Sequence, residues 1–351
     1  MKRGLTAWLT AAALALATQL LCAGADPYRF DLPKGFPKPR VPAANPMSEA
    51  KVRLGRHLFY DQRMSVNGSQ SCATCHKQEL AFTDGRAASL GATGQSHSRS
   101  AMSLVNVAYS SVLTWTNPNP QSLEEQALIP MLSDHPVELG LRGREGEMLR
   151  LFRADPVYRV LFVQAFTDSR DPFTISNVAK ALASFERTII SAGSPYDRYY
   201  SGGDPDAISD SAKRGEAIFF GDPTAGCFRC HGGFNFSDAQ FHNTGLYVTY
   251  PAPNLGIYEY TKKLADVGKF RAPGLRNIAL TAPYMHDGSI ATLEEVLDHY
   301  AAGGRGSGNL TKDPRMRRIA LTAQNRVDLL AFLRSLTDTT VTCDPRFSNP
   351  W

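Results

Sequence analysis

Apolar residues recur at three- and four-residue intervals in several separate stretches and never alternate for long, a pattern that predicts helices joined by irregular segments. The clearest run spans 174–192, where Val178, Ala181, Leu182, Phe185 and Ile189 share one face and Gly193 supplies the stop. Ser48 is placed to cap a helix through Val52, Leu54 and Leu58 that ends near Tyr60-Asp61. Ser122 and Glu125 form a capping box, as do Thr292 and Glu295. Behind the second box, Leu293, Val296, Leu297 and Tyr300 lie on one side, with Gly303-Gly304 as terminator. Further helices are expected from about Ser211 to Phe220 and from Thr322 to Leu336, the latter burying Val327, Leu330, Phe332, Leu333 and Leu336. The intervening segments, 26–50, Thr83–Ser100 and 232–262, are rich in Pro, Gly, Asn or polar residues and read as arm and loops. A loop as long as Thr83–Ser100 is uncommon in a compact domain unless it lines something. The fold class is mostly α, with long loops and little sheet.

One apolar run is of another kind. Lys2 and Arg3 precede Ala7–Leu21, and Ala23-Gly24-Ala25 follows, the arrangement of a secretory signal cleaved after Ala25. Gln19-Leu20-Leu21 are poor neighbours for lipidation at Cys22, and the run is short for a membrane anchor. Residues 1–25 are therefore expected to leave, and the mature protein to reach the periplasm without a membrane span. The remaining length suffices for two domains, 26–200 and 207–351, divided at the Gly/Pro/Asp-rich Ser201–Asp206. The net charge of +5 is mild and scattered, which argues against a nucleic-acid partner.

The chemistry sits in Cys72-Ala73-Thr74-Cys75-His76 and its echo Cys227-Phe228-Arg229-Cys230-His231. C-x-x-C-H is the attachment signature of a c-type haem. Thiols three residues apart on a helical turn face one way and can reach the two vinyl groups of a porphyrin edge. The following His offers its imidazole to the iron. A bare CxxC also suits a redox dithiol or half a zinc site, but the His after each pair argues against both. Two covalently bound haem c groups are expected, each preceded by a helix, hence two cytochrome c-like haem domains. With Cys22 in the signal, Cys343 is left without an intramolecular partner and is assigned no role.

The residues around these motifs resemble the bacterial di-haem cytochrome c peroxidase and MauG family. The likeness is carried by Leu54-Gly55-Arg56, Leu58-Phe59-Tyr60-Asp61, Phe82-Thr83-Asp84-Gly85, Ser122–Ala127, Phe270–Asn277 and Thr281–Gly288. Trp115–Pro118, Pro136–Gly140 and Phe241–Tyr247 are most similar to the MbnH branch, which accompanies methanobactin copper-peptide genes. That branch implies peroxide-driven oxidation of a Trp to kynurenine in a partner protein, MbnP.

The resemblance implies roles for particular residues. The position of the family's distal His on the first haem is Ala92, which cannot ligate iron, so that haem is expected to be open, with His76 as its proximal ligand. The nearby His97 is the rival ligand there. Glu138 matches the distal carboxylate that takes and returns the peroxide proton, and an apolar setting gives a Glu a pKa suited to that work. Gln126 and Pro130 would line the same pocket. At the second haem, Tyr300 matches the axial Met of electron-transfer peroxidases, opposite His231, and a phenolate oxygen favours higher oxidation states where Met favours the reduced one. The adjacent His299 points about 100° away on the helix. Trp115 matches the inter-haem Trp that lets both centres share oxidising charge. The family's Ca²⁺ implies carbonyl ligands from Thr281 and Pro283, but its Asn ligand is replaced by Ser100. Where MauG carries a surface relay Trp this chain has Ala225, and Trp351 is a poor substitute.

Three functions compete. The first uses hydrogen peroxide to build a high-valent di-haem state that oxidises an MbnP-like periplasmic protein. The second is a cytochrome c peroxidase supplied by a small electron-donor cytochrome. The third is a non-enzymatic di-haem electron carrier. Tyr300 and Ala92 favour the first, and Glu138 disfavours the third.

Overall fold

The computed structural model describes residues 27–221, 225–305 and 308–351. The expected signal peptide, with Cys22, lies outside them. Helices carry the architecture, and β1 (Phe241–His242) with β2 (Phe270–Arg271) forms a two-stranded antiparallel ribbon. The mostly α expectation holds.

In the first half, α1 (Glu49–Tyr60) is followed by a single helical turn, Cys72–Cys75, then α2 (Leu123–Leu132), α3 (Glu145–Ala154), α4 (Pro156–Ala165) and α5 (Ile175–Glu186). After the short α6 (Pro195–Tyr200), the second half holds α7 (Asp210–Gly221), α8 (Leu293–Ala302) and α9 (Ala323–Ser335). Caps start these helices where the sequence puts them: Ser48 accepts from the Lys51 N–H, Ser122 from Glu125 and Thr292 from Glu295.

A packing unit recurs. The helix before each haem motif leans on a partner helix at a glycine. A Cβ on Gly55 of α1 would stand 1.9 Å from the Ala181 carbonyl oxygen of α5. On Gly215 of α7 it would stand 2.0 Å from that of Asp328 in α9. Phe185 and Phe332 lie beside the two crossings. Such contact leaves no room for a methyl group.

Two apolar cores follow from this. One gathers Leu54, Leu58, Phe59, Phe82, Phe152, Phe162 and Phe185; the other gathers Tyr196, Phe219, Phe236, Leu297, Leu329 and Phe332. The C-terminal segment returns to the first, where Val341 and Phe347 are buried and the Tyr60 hydroxyl donates to the Phe347 carbonyl at 2.6 Å.

Two sequence expectations need correction. The helix expected over 174–192 ends at Glu186, because Thr188 turns its hydroxyl onto the Phe185 carbonyl (2.7 Å) inside a β-branched run. Val327 is 55% exposed and is no part of the buried stripe. Asp328 takes the inward place, held by Arg214 (2.8 Å) and Ser211 (2.6 Å) across the Gly215 crossing. Among the described residues no helix is long and apolar enough to cross a membrane.

Candidate active site

Both CxxCH histidines are prepared in the same way. His76 and His231 close their turns by backbone bonds to Cys72 (3.0 Å) and Cys227 (2.9 Å). Their Nδ1 atoms lie 2.9 Å and 3.1 Å from the carbonyl oxygens of Phe82 and Phe236. Those two phenylalanines have φ of 60° and 52°, a left-handed backbone that costs energy in a non-glycine residue and turns each carbonyl onto its imidazole. With Nδ1–H donating, the Nε2 lone pair faces outward as a ligand. Burial holds both imidazoles below the usual histidine range, in the neutral form that coordinates metal. The donor set therefore fits two haem irons, one per motif.

Near the first motif, α2 and the Thr83–Ser100 loop meet around Glu138. The Pro130 carbonyl accepts from Leu139 (2.9 Å) and the Met131 carbonyl from Leu141 (2.9 Å), which clamps the segment bearing Glu138 to the end of α2. Gln126 and Pro130 are four residues apart in that helix and so share a face. The loop closes against Glu138 through the Ala92 N–H, and Gln95 accepts from the Val137 N–H at 2.9 Å. No described residue hydrogen-bonds the Glu138 carboxylate, and burial pushes its pKa up to about 7. The Cys72 and Cys75 thiols are also pushed up, chiefly by burial, with the Glu138 charge a smaller cause for both. Glu138 thus stands within electrostatic reach of both attachment sulphurs. Ala92 sits between the bridged Leu90 and Ser96, whereas His97 follows that bridge and bonds back to the Ser89 carbonyl.

The second motif borders a cavity of about 210 Å³ lined largely by apolar side chains, with Cys227, Cys230, His231 and Tyr300 on its wall. Tyr300 reaches it from α8, between Val296 and Leu297. Burial, and then the two cysteines, push its phenol well above the usual range. The neighbouring His299 turns instead to the Thr244 carbonyl (3.1 Å) and does not line the cavity.

Trp115 stands between this cavity and a smaller one of about 110 Å³, and it lines both. Its indole N–H donates to the Ser100 carbonyl at 2.9 Å. Ser100, Thr281 and Pro283 meet in the smaller cavity, so the structure brings the three calcium candidates together. No Asp or Glu lines it, and the Ser100 hydroxyl donates to the Met285 carbonyl (3.1 Å). A divalent cation there depends on carbonyls and water.

Sequence reasoning missed a polar cluster beside Cys230. His242 lies 2.7 Å from Asp238 and 3.1 Å from Asp313, which Arg315 also holds. It also missed Arg271 and His286, which line the larger cavity. Their residues are scattered over 238–315, and no spacing rule connects them.

Residues 49–205 match the family of di-haem cytochrome c peroxidases. The methylamine utilization protein MauG of Methylophilus methylotrophus is 37% identical over 310 residues, 88% of each chain. The cytochrome c551 peroxidase of Nitrosomonas europaea is 30% identical over 303 residues, 85% of this chain and 83% of the other. A crystal structure of a MauG-like protein associated with microbial copper homeostasis superposes with a TM-score of 0.89 at 45% identity. It covers 92% of this chain and 99% of its own. The di-haem peroxidase BthA of Burkholderia thailandensis shares the fold, with a TM-score of 0.69 at 22% identity over 90% of this chain and 94% of its own.

Proposed function

The chain belongs to the di-haem cytochrome c peroxidase family that includes MauG, and we propose that it is a protein-oxidising member, acting in the periplasm on a Trp of an MbnP-like partner to give kynurenine. When bound, the haems supply peroxide activation at one iron and storage of oxidising charge over both. The residues around them divide the remaining work.

At the first site His76 would hold the iron, and Ala92 supplies no side-chain ligand to compete with peroxide. Glu138 takes the proton of incoming peroxide and returns it to the departing oxygen, work that suits a carboxylate with a pKa of about 7. Gln126 and Pro130, on the same face of α2, orient the peroxide and limit water. At the second site His231 and Tyr300 would hold the iron, a donor pair that suits a centre storing charge rather than one binding peroxide. Trp115, fixed by its bond to Ser100, joins the two. A calcium ion at the Thr281 and Pro283 carbonyls would brace the same junction.

The observation that carries this reading is the phenol of Tyr300 on the wall of the cavity that holds Cys227, Cys230 and His231. A hard oxygen donor there suits stored oxidising charge, whereas a thioether suits a ready electron donor. The similarity to the copper-associated MauG-like structure supports the choice of partner. The test is to add peroxide to the diferric protein and follow its spectra. A long-lived state two oxidising equivalents above diferric, formed without prior reduction and discharged by an MbnP-like protein with kynurenine appearing in its mass spectrum, is the expected result. A need for prior reduction, with rapid turnover of a small reduced cytochrome, would instead establish the activity in the Nitrosomonas relative's name.

A further inference from the structure

Two polar side chains on the wall of the second cavity each carry a buried nitrogen that no described residue bonds. Arg271 is 7% exposed, and its Nε has no hydrogen-bond partner. The rest of its guanidinium is lightly held, with one bond to the Ser110 hydroxyl (3.1 Å) and one to the Met102 sulphur (3.9 Å). His286 is 5% exposed, and its Nε2 is likewise unpartnered. Its ring lies flat on Phe270, with centroids 3.5 Å apart, which fixes the edge it presents.

A buried guanidinium without a counter-charge is strongly disfavoured, because the charge has lost its water and gained no partner. The neighbouring arginine shows how this chain otherwise meets that cost: Arg276 is as buried as Arg271, but the Asp197 carboxylate grips its Nη1 at 2.8 and 2.9 Å. Among the described residues no carboxylate plays that part for Arg271. No Asp or Glu lines the smaller cavity, and Asp313 in the larger one is engaged by Arg315 and His242. The guanidinium therefore calls for an anion from outside the described residues.

We propose that Arg271 and His286 form a carboxylate-binding cradle for a propionate of the second haem, with Arg271 as its counter-charge. The geometry is consistent on three counts. Both residues line the cavity that holds Cys227, Cys230, His231 and Tyr300, so the anion belongs to that haem. Arg271 also lines the smaller cavity, and its backbone N–H donates to the Trp115 carbonyl at 3.0 Å. The bound propionate is thereby tied to the segment that carries the inter-haem indole. Finally, the His286 carbonyl accepts from the Ser100 N–H (2.8 Å), and Ser100 in turn receives the Trp115 indole, so cradle and indole share one frame. Arg271 and His286 are positioning residues: they orient the porphyrin edge toward Trp115 and set the charge around the second iron. The inference rests on a haem at the second motif and is independent of what the enzyme oxidises.

The test uses the full-length holoprotein and the variants Arg271→Met, Arg271→Lys and His286→Phe. Haem content and the Tyr300 ligation are checked first by pyridine haemochrome and EPR. With both haems in place, Arg271→Met is expected to shift the propionate bending mode in the resonance Raman spectrum and to lower the reduction potential of the second haem, because a positive charge beside it is gone. Arg271→Lys restores part of both, and His286→Phe shifts the propionate mode alone. Wild-type propionate modes and potentials in both Arg271→Met and His286→Phe overturn the cradle while leaving the di-haem assignment intact. If Arg271→Met fails to mature, Arg271→Lys and His286→Phe decide: unshifted modes in both are likewise fatal. Loss of haem from the second motif of the unmutated protein would count against the cofactor assignment itself.

Discussion

The backbone N–H of Ala92 donates to the carbonyl oxygen of Glu138 at 2.7 Å. The residue standing where the family's conventional peroxidases place a distal His is therefore bonded directly to the residue that stands for their distal carboxylate. A methyl group occupies the first position, and the backbone of the loop ties the segment that carries Glu138 in place.

Replacing that group isolates its proton work. Glu138→Gln keeps the shape and removes the base, so the bimolecular rate of the diferric protein with peroxide should fall by roughly 10²–10⁴-fold. The wild-type rate should also depend on pH in a defined sense. Burial raises the Glu138 pKa to about 7, and the base must be ionised, so the rate climbs as pH rises through about 7 and flattens above it. Stopped-flow measurements from pH 5 to 9 give both results, and a flat profile in the wild type removes Glu138 from the role of base.

The seat of Glu138 can be tested from the other side of the contact. A Cβ on Gly91 would stand 1.8 Å from the Val137 carbonyl oxygen, and neither backbone can yield. Gly91→Ala should cost about 1–3 kcal/mol of stability and slow the peroxide reaction with it. Gly94 serves as the control: its added methyl meets nothing within 4 Å, but its φ of +79° makes any side chain strained. Gly94→Ala should lose about 1–2 kcal/mol in thermal unfolding and leave the peroxide rate alone.

Much of this architecture is legible in the chain, and the reason differs from element to element. The CxxCH motifs are local, so spacing alone identifies them. Ser48, Ser122 and Thr292 announce their helices because a cap is a contact between residues three apart. The inward turn of Tyr300 follows from its place with Leu293, Val296 and Leu297 on α8. What stays hidden depends on distant partners. Val327 fits an apolar stripe by period, yet Asp328 takes the inward place because Arg214 and Ser211 wait on another helix. The carbonyls of Phe82 and Phe236, which aim the proximal imidazoles, belong to residues that read as plain core. The unpaired state of Arg271 leaves no trace in sequence, because only a fold can show that its neighbour Arg276 has taken the nearby carboxylate.

Tyr300 separates the two enzymatic readings. Tyr300→Met should install a thioether opposite His231, raise the reduction potential of the second haem and stabilise its reduced state. Spectroelectrochemical titration is expected to show reduction of that centre at a higher potential than in the wild type. The variant should gain turnover with a small reduced cytochrome and lose partner oxidation. Unchanged EPR and potential would mean that the phenol is ordinary cavity lining.

Trp115 touches both cavities, and its indole is held by one side-chain bond, from its N–H to the Ser100 carbonyl at 2.9 Å. In Trp115→Phe the ring volume is nearly kept while that donor is lost, leaving the carbonyl unpaired at a cost of about 1–3 kcal/mol. A modest drop in melting temperature should follow. The functional loss should be of a different kind. On the proposed mechanism peroxide reacts at Glu138 and the His76 site, neither of which the substitution touches, so the first bimolecular step should keep its rate. Sharing of charge between the two centres should suffer, and the lifetime of the oxidised protein should shorten by roughly tenfold, equivalent to about 1.4 kcal/mol of barrier. Stopped-flow spectra after a single addition of peroxide distinguish formation from decay in one experiment. A variant that forms slowly and decays at the wild-type rate would assign Trp115 to packing and would send the search for an inter-haem route to the Arg271 side of the same junction.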